Sequence, residues 1–123
     1  MSRREAKRHY LLTDSTHAAN SDNLDTRLEK LLDAKMHGIA FSAYAEGQKP
    51  GDDLSLDQIE RRMAIIAPHF HWIRSFSVTA GNELIPSVAK DQGLKTLVGA
   101  WLGTDPVKNR QEMDYLVALA HDG

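Results

Sequence analysis

Short apolar runs alternate with amphipathic helical stretches three times along this chain, and nothing else in the sequence constrains its fold as strongly. The runs are Gly38-Ile39-Ala40-Phe41-Ser42, His71-Trp72-Ile73-Arg74-Ser75-Phe76 and Leu94-Lys95-Thr96-Leu97-Val98-Gly99-Ala100-Trp101. Each is short, rich in β-branched or aromatic residues, and bounded by turn-forming residues, which predicts strands near 38–42, 71–76 and 94–101. They lack strict polar alternation, as expected of strands covered on both faces. Helix between strand, three times over, implies parallel strands joined by right-handed crossovers.

The helices carry their own start and stop signals. Leu24, Leu28, Leu31 and Leu32 fall at helical spacing among Asp25, Arg27, Glu29 and Lys30, predicting a short amphipathic helix within 23–37. Gly47, Pro50, Gly51, Asp52 and Asp53 mark a loop. Ser55-Leu56-Asp57-Gln58 has capping-box spacing, with Ser55 as N-cap and Gln58 reaching back. Ile59, Met63, Ile66 and Ala67 then line one helix side, and Pro68 marks its end. Ala80-Gly81-Asn82 turns the chain into a helix over roughly 83–91, where Pro86 is tolerated in the first turn and Gly93 is the stop. Asp105-Pro106 reads as N-cap and first helical residue, followed by an apolar stripe of Val107, Met113, Leu116, Val117 and Ala120. Residues 1–22 are polar and read as a flexible leader, which leaves 38–123 as the α/β domain.

Composition narrows the function. With 123 residues the chain is one ordinary domain, and 41% apolar with 26% charged residues permits a packed core. A net charge of −2 gives no electrostatic case for nucleic acid or an anionic membrane as partner. The absence of cysteine excludes disulfides, thiolate metal sites and a cysteine nucleophile. The basic start at residues 1–9 is followed only by Tyr10-Leu11-Leu12 before polar residues resume. No signal peptide or membrane span is therefore expected, and a cytoplasmic location is the default. There is no P-loop, no Rossmann fingerprint and no Gly-x-Ser-x-Gly elbow, so no cofactor is expected. His69 and His71 stand two apart, a spacing that can bring both to one strand face. No third ligand is evident nearby, and no metal is expected.

Three βα units do not close a sheet, and a barrel of eight takes ~250 residues. Either the sheet is small and open, or it belongs to something larger. Three stretches bear on that choice: Gly38 to Gln48, Trp72 to Pro86 and Gly93 to Gly103. In order and spacing they resemble the first three βα units of bacterial glycoside hydrolase family 17 proteins, and residues 1–37 carry none of the similarity. The resemblance implies the first three units of a TIM-type (β/α)8 barrel, incomplete. It implies a family activity of hydrolysis or transglycosylation of β-1,3-glucans. In the family, a general acid/base glutamate in a Gly-Asn-Glu motif ends the fourth strand, and a nucleophilic glutamate ends the seventh. Such a retaining pair stands about 5–5.5 Å apart. On this alignment neither glutamate falls within the chain, and the chain is expected to be inactive alone.

Gly81-Asn82-Glu83 spells the acid/base motif but follows the second strand. Glu83 is therefore either a catalytic acid or a residue that favours a helix N-terminus capped by Asn82. In such barrels sites lie at the C-terminal strand ends. The substrate-binding candidates there are Phe41, Ser42, Tyr44, Glu46, Gln48, Arg74, Phe76 and Trp101. Aromatic faces would stack on sugar rings, and Glu46, Gln48 and Arg74 would bind hydroxyls. The alternative roles are barrel core for Phe41 and Phe76 and a structural ion pair for Arg74. The expected partner is a β-glucan or oligosaccharide. A non-catalytic carbohydrate-binding or assembly fragment using Tyr44, Phe76 and Trp101 is the alternative function, and a small independent enzyme using Glu83 is a third. Half a barrel also leaves edges and helix faces that another copy, or the missing barrel half, can cover.

Overall fold

A computed structural model describes residues 21–122. The leader expected at 1–22 lies outside them apart from its last two residues. The chain divides into two units, 1–31 and 32–123. The described part of the first belongs to helix α1, which runs Ser21–Asp33. Lys35 follows with φ of +55° and donates its N–H to the Leu32 carbonyl at 3.3 Å, which ends helical geometry before Met36. Met36 and His37, expected in the helix, therefore open the first strand.

The second unit holds three strands, β1 (Met36–Ala40), β2 (Phe70–Arg74) and β3 (Lys95–Leu97). They form one parallel sheet in the order β1-β2-β3. In register, Ile39, Ile73 and Thr96 stand side by side, as do Ala40, Arg74 and Leu97. Single hydrogen bonds continue the ladder past the regular strands: Phe41 N–H to the Arg74 carbonyl, Ser75 N–H to Leu97, and Gly99 N–H to Ser75.

Helix α2 (Leu56–Ile66) begins at Ser55, whose hydroxyl accepts from the Gln58 N–H at 3.3 Å. A 3-10 turn, Ala67–His69, carries Pro68 into β2. A second 3-10 turn, Asn82–Leu84, leads into α3 (Ile85–Asp91). Gly93, at φ of +77°, turns the chain out of α3 as read. Helix α4 spans Pro106–Asp122, and Asp105 caps it, its Oδ1 accepting from Val107 N at 2.9 Å and Lys108 N at 3.3 Å.

The core joins Phe41, Leu54, Ile59, Met63, Phe70, Ile73, Ile85, Val88 and Leu94, so α2, α3 and the strands share one cluster, which α2 enters through Ile59 and Met63, two residues its periodicity selected. Helix α4 departs from its expected stripe. Val107, Met113 and Val117 are exposed, and the inward face is Asn109, Glu112, Leu116 and Leu119. The helix is rotated so that a glutamate makes its deepest contact. Among the described residues no helix is long and apolar enough to cross a membrane.

Candidate functional site

Because the three strands are parallel, the segments leaving their C-terminal ends share one edge of the sheet. That edge carries a hydrogen-bonded relay across three loops. In the first loop the Tyr44 hydroxyl accepts from Gly51 N–H at 3.4 Å and from Asn82 Nδ2 at 3.2 Å. Asn82 belongs to the second loop, and its Nδ2 also donates to the Thr79 carbonyl at 2.9 Å. Thr79 in turn donates its hydroxyl to Glu112 at 2.7 Å. Glu112 completes the relay by accepting the Trp101 N–H at 3.0 Å, which ties in the third loop.

Glu112 is 4% exposed, on α4. Its Oε1 accepts the hydroxyls of Ser77 at 2.5 Å and Thr79, and its Oε2 accepts the backbone N–H of Val78 at 3.1 Å and of Trp101. Burial by itself raises the carboxyl's pKa. The hydrogen bonds from Ser77, Thr79, Trp101 and Val78 outweigh that effect and hold it below the ordinary value of 4.5. Sequence reading missed this residue, since a glutamate between Gln111 and Met113 looks like a solvated helix position. The one available signal was that Asn109, Glu112, Leu116 and Leu119 share a face at helical spacing.

Asn82 corrects a local reading. It does not cap the helix. Leu84 holds the N-cap position of α3 and Gly81, at φ of +88°, holds that of the preceding 3-10 turn, while the Asn82 side chain is committed to Tyr44 and Thr79. Gly81 is needed there for a second reason: a Cβ would collide with the Leu54 carbonyl oxygen. Gln58 likewise does not reach back to its cap. Its Nε2 donates to the Ala43 carbonyl and to Gln48 Oε1, both at 2.6 Å.

The candidate residues fall in different surroundings. Phe41 is 6% exposed and sits in the core. Ser42 and Glu46 are exposed. Gln48 is half-buried and braces the first loop, accepting from Ala45 N–H at 2.7 Å as well as from Gln58. Arg74 places its guanidinium 5.1 Å from the Phe76 ring centroid, a cation–π contact where an ion pair was the alternative. Phe76 is 37% exposed and Trp101 65% exposed. Glu83 is half-buried, and its Oε2 is enclosed without a hydrogen-bond partner. His69 Nδ1 lies 3.3 Å from the Leu32 carbonyl, and His71 is exposed. Among the described residues no three His, Asp or Glu side chains group as metal ligands would.

No family model matches the sequence, and no curated protein matches it. Among solved structures, the crystal structure of a glycoside hydrolase family 17 β-1,3-glucanosyltransferase from Rhizomucor miehei is similar, with a TM-score of 0.55 and 18% identity. The match covers 74% of this chain and 33% of that one, so the chain spans about a third of the enzyme's length. Over the matched residues the chain is similar in fold to that part of the enzyme.

Proposed function

We propose that this chain supplies the first three βα units of a family 17-type (β/α)8 barrel and that its strand-end loops hold a β-1,3-glucan. The observation that carries the reading is the relay from Tyr44 to Trp101. It braces three loops against one another at the sheet edge where such barrels bind substrate, with Phe76 and Trp101 exposed beside it. An exposed indole and a phenyl ring offer flat apolar faces to sugar rings, and Ser42, Glu46 and Arg74 are exposed for hydroxyl contacts. Likeness to a β-1,3-glucanosyltransferase supports the linkage.

The activity proposed for the 123-residue chain alone is binding without turnover. Family chemistry places its acid/base on the fourth strand and its nucleophile on the seventh, and the described residues hold three strands. The exposed Ile39, Leu97, Val107 and Val117 suit coverage by further barrel or by a second copy.

Titration of the purified chain with β-1,3-gluco-oligosaccharides, followed by amide chemical shifts, tests the reading. Shifts should gather on 42–48, 76–83 and 99–103, and Trp101→Ala should abolish them. Equal response to β-1,4-linked oligosaccharides, or none to either, would count against it.

A further inference from the structure

We propose that Glu112 is a positioning residue, whose buried carboxylate fixes the loop over 77–79 and the backbone of Trp101 in one arrangement and so presents the indole to a carbohydrate. The role of Trp101 rests on the function proposed above; the positioning rests on geometry alone.

A carboxylate is acceptor-only, with about four lone-pair sites. Glu112 uses one for each of four donors, two on each oxygen. Two donors are backbone N–H groups, which cannot rotate away to seek another acceptor, and two are hydroxyls, which can. The donors come from loops that follow different strands, β2 and β3, and no direct bond joins Trp101 to Ser77, Val78 or Thr79 among those described. The carboxylate is therefore the common point of both loops. The anchor also lies close to the exposed group. Trp101 offers 65% of its surface to solvent while its own N–H is held at 3.0 Å. Asn109, one turn earlier on α4, braces the same loop from its other side, accepting from Gly103 N–H at 2.7 Å and donating to the Gly103 carbonyl at 2.9 Å. An exposed ring on a backbone held at both flanks loses little conformational freedom on binding, which is how preorganisation raises affinity.

The donor pattern separates positioning by geometry from any need for charge. In Glu112→Gln, the amide oxygen can accept both backbone N–H groups, and the amide N–H groups can donate to the two hydroxyls after these rotate. The neutral isostere should therefore preserve the arrangement. Glu112→Ala leaves two N–H groups facing a void.

The experiment measures amide hydrogen exchange at Val78, Trp101 and Ile73, with β-1,3-gluco-oligosaccharide affinity, in the wild type, Glu112→Ala, Glu112→Gln and Trp101→Ala. In Glu112→Ala, exchange at Val78 and Trp101 should accelerate at least about tenfold while Ile73 in the core strand keeps its protection. Oligosaccharide affinity should fall about tenfold. Glu112→Gln should restore both to within about threefold of the wild type. Should Glu112→Ala fail to fold, the Ser77→Ala/Thr79→Val double variant replaces it. Losing both hydroxyl donors should accelerate exchange at Val78 and Trp101 by a smaller factor. Wild-type exchange at Trp101 in Glu112→Ala, or in the double variant where that is used, overturns the positioning. So does a Glu112→Gln chain as perturbed as Glu112→Ala. Wild-type affinity in Trp101→Ala defeats the glucan reading instead, and the exchange results still decide the role of Glu112.

Discussion

The hydroxyl of Tyr44 accepts a hydrogen bond from Asn82 across 3.2 Å, joining the loop after β1 to the loop after β2. The bond gives Gly81-Asn82-Glu83, a triplet that spells a glycosidase acid/base motif, a structural use. Glycine makes the turn, asparagine ties two loops together and opens a 3-10 turn, and glutamate stands in the middle of that turn. A double-mutant cycle with Tyr44→Phe and Asn82→Ala should return a coupling of about 1 kcal/mol in urea unfolding. Strict additivity would show that the bond contributes nothing.

Gly81 and Gly47 both sit at positive φ, +88° and +82°, but only Gly81 lies against another backbone. An alanine at Gly47 meets open space and should cost about 1 kcal/mol, the conformational penalty alone. Gly81→Ala adds a collision with the Leu54 carbonyl and should cost at least about 3 kcal/mol or prevent folding. Equal unfolding midpoints for the two variants would remove the steric account.

Glu112 makes stability depend on pH in a defined direction. Its folded pKa lies below the ordinary carboxylate value of 4.5, so it contributes stability that is fully present above that value. The contribution declines as pH falls below 4.5 and is gone once the folded carboxylate is protonated. Glu112→Gln lacks the titrating group. The stability gap between wild type and variant should therefore be widest near neutral pH and shrink in acid. A gap that stays constant through the acid range, in urea midpoints, would show that the carboxylate is not favoured by the fold.

Glu83 offers a test of catalysis. Release of reducing ends from laminarin-type β-1,3-glucan by the purified chain should match that of its Glu83→Gln variant. General-acid chemistry without a nucleophile across the scissile bond forfeits most of the rate acceleration. Turnover in the wild type that disappears in the variant would promote Glu83 to a catalytic acid.

The sequence alone determined the parallel three-stranded sheet and its strand order along the chain. Alternating βα units have few ways to connect, and Ser55, Asp105, Pro106 and Gly93 act on neighbours within a turn. The burial of Ile59 and Met63 was legible for the same reason, since periodicity is local. Tertiary structure decided what the polar residues do. Asn82 finds its partner 38 residues away, Gln58 turns to Ala43 and Gln48 rather than to its own cap, and Glu112 meets donors 33 to 35 residues earlier in the chain. A buried polar group goes wherever the fold provides complementary donors or acceptors, and that supply is set by loops converging at one sheet edge. The same pull rotated α4 away from its apolar stripe: desolvated donors on two loops required an acceptor, and Glu112 was the side chain in reach.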